Sequence, residues 1–309
     1  MRALVSPASL KGVLSAGEAA AALARGLRES GADAEELPIA DGGEGTAAIL
    51  ASALGLEACV ACHVHDAFGR PRAAPIRYVD GGIAIVEAAE VIPLEAARLD
   101  PFTASSAGLG ELIAQVEPGR ALVICLGGTA TMDGGEGLSD VKHKLPGQTT
   151  ALVDTVVTLR DAVKVFGAQK GARPTDVPAL EARLAGRDDL APHADLPGSG
   201  AAGGLGAALA ALGATLVPGA PYVLERVRFR DHARNADLVV TGEGVVDATT
   251  PAGKAPGEAA RVCGELGVRC VVFGGRVEVE LEGAELVELS GDATRAREDL
   301  VELGRRLAG

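Results

Sequence analysis

Asp41-Gly42-Gly43-Glu44-Gly45 recurs letter for letter as Asp133-Gly134-Gly135-Glu136-Gly137, and Gly242-Glu243-Gly244 gives its core a third time. Each copy follows a short apolar run, Leu37 to Ala40, Ala121 to Leu126 and Ala236 to Val240. Runs of that length bounded by turn residues predict buried strands of a parallel sheet. Glycine after such a strand lets backbone N–H groups approach an anion, while neighbouring carboxylates repel a bare phosphate. A metal-bound phosphate reconciles the two, so the repeats together suggest a Mg²⁺-nucleotide site. Turn chemistry alone accounts for any single copy; three copies at three strand ends favour the site.

Outward from these repeats the texture is that of alternating strands and helices. Arg2 to Ser6 reads as a strand, and Ser15 with Glu18 three residues later as a capping box opening a helix to about Glu29. A right-handed βαβ unit follows. Glu57 to His65, Arg72 to Val79 and Ile83 to Glu87, joined by Gly- and Pro-containing turns, suggest antiparallel or mixed pairing and a second domain. A helix is expected over about 105–116, and 152–159 is an apolar run of strand character. The C-terminal third returns to αβ alternation, with strands at 236–240, 270–273 and 286–289 and helices at 256–266 and 294–307.

The chain has 309 residues and is 48% hydrophobic but only 2% aromatic, so two domains with cores of Ala, Val and Leu are expected. A net charge of −13 argues against nucleic-acid or anionic-membrane partners, which need a basic face. The expected partner is a small molecule. No apolar run reaches membrane-spanning length and the N-terminus leads into a strand, so a cytoplasmic protein is expected. Five cysteines in apolar surroundings read as reduced thiols. Cys59-Val60-Ala61-Cys62-His63 has the spacing of a haem attachment site, but on a strand the two thiols point to opposite faces. Cys59, His63 and His65 would share a face, at most an adventitious zinc site.

Two further stretches carry chemistry. Gly198 to Gly206 contains a Gly-x-Gly-x-x-Gly, yet no strand precedes it, so it is a weak dinucleotide signal and a better anion-binding helix N-terminus. Asp247, Thr249, Thr250, Gly253 and Lys254 are not a P-loop, because Ala248 and Ala255 occupy positions that motif reserves for Gly and Ser or Thr. They still suit phosphoryl transfer. Asp247 can bind Mg²⁺ or accept a hydroxyl proton, and Lys254 can balance phosphate charge.

Taken together these stretches resemble the bacterial glycerate kinase family. Pro7 to Ala16 is similar to that family's Pro-Asp-Ser-Phe-Lys-Gly-Ser-Leu-Ser-Ala, and Ala40 to Thr46 to its Ala-Asp-Gly-Gly-Glu-Gly-Thr. Gly127 to Gly135 resembles Gly-Gly-Ser-Ala-Thr-Asn-Asp-Gly-Gly, Phe166 to Ala172 resembles Phe-Gly-Pro-Gln-Lys-Gly-Ala, and Gly200 to Gly206 and Thr241 to Pro256 complete the series in family order. The resemblance implies a two-domain α/β fold, a Rossmann-like parallel-sheet domain from 1–56 plus 235–309 and an inserted mixed α/β domain over 57–234, with the active site in the cleft between. It implies ATP- and Mg²⁺-dependent phosphorylation of D-glycerate or a close hydroxy acid. Lys11, Asp41, Asp133 and Asp247 are the expected catalytic residues, with Asp133 and Asp247 sharing metal binding and general-base work. Gly42, Gly43, Gly127, Gly128, Thr129, Gly134, Gly135, Lys170, Gly203, Gly204 and Lys254 are expected at the nucleotide, and Ser9, Arg70 and Glu243 at the substrate. A homodimer is compatible with the sequence.

The chain departs from the family at three places. Ala8 stands where the family has Asp, Ala151 to Thr158 replaces a segment resembling Asp-Val-x-Asn-Pro-Leu, and a family segment after Leu138 is missing, leaving a polar, Lys-rich remnant at 139–150. They motivate a rival reading, a non-catalytic paralogue that binds a nucleotide or acid metabolite. A dinucleotide oxidoreductase rests only on the glycines near 200.

Overall fold

The structure, a computed structural model, describes residues 1–138 and 145–309; residues 139–144 of the Lys-rich remnant lie outside the described residues. The described strands are β1 (Arg2–Val5), β2 (Asp33–Glu36), β3 (Leu56–His65), β4 (Pro71–Val79), β5 (Ile83–Glu87), β6 (Ala121–Cys125), β7 (Thr149–Val153), β8 (Thr215–Pro218), β9 (Leu238–Val246), β10 (Arg269–Val277) and β11 (Glu285–Glu288). They form two sheets in two compact units, residues 1–41 with 220–309, and residues 42–219. The protein is thus α/β.

In the first unit the sheet runs β11-β10-β9-β1-β2 and every pair is parallel. Its order reverses beside β1, so β1 and β9 are neighbours whose connections leave in opposite directions. Ligands of open parallel sheets bind outside the carboxyl ends of strands at such a point. The helix Ala16–Glu29 starts at the expected capping box, with Ser15 accepting from the Glu18 amide and Glu18 from the Ser15 amide. It packs against Ala296–Ala308 so closely that a Cβ on Gly26 would lie 2.0 Å from the Val301 carbonyl oxygen.

In the second unit the sheet order is β3-β4-β5-β6-β7-β8; β3, β4 and β5 pair antiparallel and β5 through β8 parallel. The parallel half has its carboxyl ends at Glu87, Cys125 and Val153. Cys59 is exposed and Cys62 buried on β3, as alternation requires. No helix among the described residues is long and apolar enough to cross a membrane.

The compact units divide at 41/42 and 219/220, where the resemblance implies 56/57 and 234/235; the helix Thr46–Ala53 packs on β3, β4 and β5 and so joins the second unit. Other expectations are corrected. The strand expected at 37–40 lies at Asp33–Glu36. Leu37 and Ile39 still donate to Val5 and Pro7 carbonyls, but Pro7 has no N–H to return, and the ladder stops. Gly242 to Gly244 lies inside β9 instead of after it, paired with β10 from Phe273 onward; a Cβ on Gly242 would sit 2.3 Å from the Phe273 oxygen. Within 152–159 only Leu152 and Val153 are strand, and Leu159 opens a 3₁₀ turn.

Candidate functional site

In the first unit, the chain leaving β1 is joined by backbone to the middle of β9: the Ser6 amide donates to Val240 and the Ala8 amide to Gly242. Glu243, next in β9, is buried at 8% exposure. One of its oxygens accepts the Thr250 hydroxyl at 2.8 Å and the other lies 3.5 Å from Lys254 Nζ. Burial pushes the Glu243 carboxyl above its ordinary range; Lys254 and Thr250 pull it back, and the charge of Asp41 pushes it further up. Asp247 is different. Burial acts on it too, but the Thr249 hydroxyl and amide, which both bond Oδ1, and the charge of Lys254 leave it below its ordinary range. Asp41, Glu243, Asp247 and Lys254 therefore form one cluster around a lysine that stands at the N-cap of the helix Ala255–Leu266. Lys11 is exposed and lines a cavity of about 100 Å³ with Gly244, Gly275 and Gly291, and Ser9 is half-buried after β1.

In the second unit the loops gather at the carboxyl ends of β5, β6 and β7. The Gly127 amide donates to the Gly42 carbonyl at 3.0 Å. A Cβ on Gly127 would lie 2.6 Å from Gly43 Cα and 2.7 Å from Asp154 Oδ2, so Gly42, Gly43, Gly127 and Asp154 share one place. Gly128 and Thr129 continue that loop.

Other expected residues serve the fold. Asp133 is 2% exposed; Oδ2 accepts the Ser106 amide and hydroxyl and Oδ1 the Gly135 amide, so both oxygens anchor the start of the helix Ala107–Ala114 and the loop itself. Those three bonds make Asp133 an internal anchor. Gly134 donates to the Gly203 carbonyl, Gly204 to Gly200, and a Cβ on Gly203 would lie 2.0 Å from the Thr131 oxygen. The N–H groups of Gly134, Gly135 and Gly204 are thus committed within the protein, and these glycines allow two segments to touch. Ala202, Gly203 and Gly204 take left-handed conformations, so the regular helix starts only after them and the expected anion-binding N-terminus at 200–206 is not formed. Lys170 is buried, donates to the Thr131 carbonyl at 2.8 Å, and is lowered to about 8 by burial, against the pull of Asp154 and Asp133. It braces the loop from beneath. Arg70 bonds Asp66, with Glu95 3.4 Å away, so as a substrate clamp it would have to leave an acid already in place.

Sequence reading missed Glu87 and Asp154. Each is an acid at the end of an apolar run, at the end of β5 and just past β7. That is the signal that singles out Asp41, but neither acid is followed by glycine. A larger cavity of about 340 Å³, lined by Leu159, Val163, Leu184 and Ala194, has Arg160 and Arg187 on its wall, but these are paired with Asp195 and Asp189.

Among the described residues two buried side-chain hydroxyls, Ser6 Oγ and Thr129 Oγ1, have no hydrogen-bond partner. Such a group costs about 1–3 kcal/mol, which a ligand oxygen would recover. One follows β1 and the other follows Gly127-Gly128. Among the described residues no three His, Cys, Asp or Glu side chains are grouped as a metal cage. Mg²⁺ carried on phosphates needs only one or two carboxylates, so a Mg²⁺-bound phosphate fits beside Asp247 without such a cage.

Comparison with known proteins bears on what binds there. The model of the glycerate kinase family matches residues 3–143 and 147–294. The chain is 33% identical to the glycerate 2-kinase of Escherichia coli K12 and 34% identical to the glycerate kinase of Bacillus subtilis 168, in each case over 83% of this chain and 80% of the relative. A crystal structure assigned as glycerate kinase 2 from Salmonella typhimurium LT2 superposes with a TM-score of 0.77 at 29% identity, covering 100% of this chain and 97% of that one.

Proposed function

Because the chain belongs to the glycerate kinase family, we propose that it transfers the terminal phosphoryl group of ATP, with Mg²⁺, to a hydroxyl of D-glycerate. The observation that carries the reading is the pairing of a buried, upward-shifted Glu243 with Lys254 beside a downward-shifted Asp247. Two carboxylates pushed apart by their surroundings suit different tasks. Glu243, the better proton acceptor, takes the hydroxyl proton as oxygen attacks phosphorus. Asp247, ionised over the whole neutral range, would hold Mg²⁺ with Asp41. Bound Mg²⁺ supplies charge neutralisation on the phosphate oxygens. Lys254 faces the charge that develops on the transferred group, and the Gly128 amide with the Thr129 hydroxyl receives the anionic ligand in the second unit.

A second reading, binding without turnover, is favoured by Ala8. Its amide is spent on Gly242 and its methyl is buried where the family motif has a carboxylate. The two readings separate in an ATP-consumption assay with Mg²⁺, with and without D-glycerate, beside Asp247→Asn. Glycerate-dependent turnover that the variant loses supports the kinase. Thermal stabilisation by ATP with no turnover on glycerate would overturn it in favour of the binding protein.

A further inference from the structure

Glu87 ends β5, is 2% exposed, and lies 40 and 42 positions from the two groups it binds. Oε1 accepts the Gly45 amide at 2.8 Å and Oε2 the Ala47 amide at 2.9 Å. Gly45 is the N-cap of the helix Thr46–Ala53, held at φ +86°, and has no side chain to cap the helix itself. A remote carboxylate does this instead, at the helix end where negative charge is stabilised. The bonds continue inward. Thr46 Oγ1 accepts the Gly42 amide at 3.1 Å, and the Gly42 carbonyl accepts the Gly127 amide at 3.0 Å. One side chain outside the glycine repeats therefore anchors the first repeat, and through it the loop that begins at Gly127.

We infer that Glu87 is a positioning residue for phosphoryl transfer, whose ionised carboxylate holds the Gly42–Gly45 loop and, through Gly42, the Gly127–Thr129 loop in the shape that presents the buried Thr129 hydroxyl to an anion. The inference rests on the kinase reading for its kinetic consequence but not for its structural one. Ionisation matters because two N–H donors converge on two oxygens. A protonated carboxyl, or an amide, would turn a donor toward one of them. The charged and titratable groups around it are Arg77 on β4, which is held by both oxygens of Glu90; Glu90 itself; Cys125, directly across on β6; and Glu44, exposed in the loop. Burial drives the Glu87 carboxyl up to about 7, against the pull of the Ala47 and Gly45 amides; Glu90 pushes it further and Arg77 pulls it back. Ionisation, and with it the loop's anchoring, is completed as pH rises through about 7.

This produces two opposite pH trends. A folded-state value above the unfolded one means the folded chain holds the proton more tightly, so Glu87's contribution to stability is fully present below the unfolded value near 4.5 and is lost as pH rises through about 7. Positioning improves over the same interval. The test is Glu87→Gln in the full chain, followed by kcat and KM from pH 5.5 to 8.5 and by amide hydrogen exchange of the peptide spanning 42–50. The expected result is a kcat/KM lowered roughly 10- to 100-fold at pH 8, loss of the acid limb near pH 7 expected of the wild type, and faster exchange at Gly45 and Ala47. Thr46→Val cuts the next link without touching the buried acid, and should speed exchange in the same peptide if Glu87→Gln fails to fold. Unchanged exchange in whichever variant folds, or a Glu87→Gln profile that keeps its acid limb and its rate, overturns the inference. Wild-type protein inactive on glycerate counts against the kinase reading alone, and exchange then decides whether Glu87 holds the loop.

Discussion

Lys254 Nζ stands 3.5 Å from Oε2 of Glu243, a carboxylate only 8% exposed in β9. Lys254→Met removes the main pull holding that carboxyl down. The acid limb of kcat attributable to Glu243 should move to higher pH, and the plateau rate should fall on the order of 100-fold as phosphate charge loses its partner. Paired pH–rate profiles check both. A limb that stays in place removes Glu243 as the base.

Asp247→Asn should leave the fold intact, since the Thr249 amide and hydroxyl still find an acceptor oxygen. Its deficit should appear as a raised Mg²⁺ requirement and a kcat lower by about 10²- to 10³-fold. Titrating Mg²⁺ at saturating ATP measures it. A loss of rate with an unchanged Mg²⁺ midpoint would take the metal away from Asp247.

The glycines divide by role, and a pair of substitutions separates them. Gly203→Ala drives a methyl against the Thr131 carbonyl oxygen at φ +68° and should cost about 3 kcal/mol or more, seen as a large fall in Tm. A Cβ on Gly244 meets nothing within 4 Å at an ordinary φ, so in Gly244→Val Tm should hold while the small cavity beside Lys11 fills and kcat/KM falls. Melting curves and initial rates on the two proteins suffice.

Lys170 gives stability an alkaline signature. Its folded-state value of about 8 lies below the ordinary 10.5, so the unfolded chain binds the proton more tightly and the folded protein gains stability as pH rises from about 8 to about 10.5. The gain is about 3 kcal/mol at most. Subtracting the Tm-against-pH curve of Lys170→Met from that of the wild type should show this rise, and a flat difference would mean the ammonium is better solvated than its burial implies.

What the sequence made legible follows from which forces are local. Strand alternation and the Ser15/Glu18 capping box are set by residues within a few positions of each other, and both stand in the structure. The glycine repeats marked the loops but not their use: whether Gly203 faces a ligand or the Thr131 carbonyl depends on a contact made from more than seventy residues away. Asp133 looked like a metal ligand because its neighbours do, and only the distant Ser106 shows where its oxygens are engaged. Glu87 and Asp154 carried no motif. They become visible once parallel pairing brings the ends of β5, β6 and β7 together.

The parallel pairing of Ala3 with Leu238 has a consequence for how the chain is born. β1 and β2 emerge from the ribosome early, yet the central neighbour that buries β1 is synthesised more than two hundred residues later. At about 5–20 residues per second that interval is on the order of ten to fifty seconds. Residues 42–219 hold every strand of their own sheet and are complete in the meantime. The second unit is therefore expected to fold during translation while the apolar β1 segment waits unpaired, and chaperone dependence should concentrate on the N-terminal forty residues.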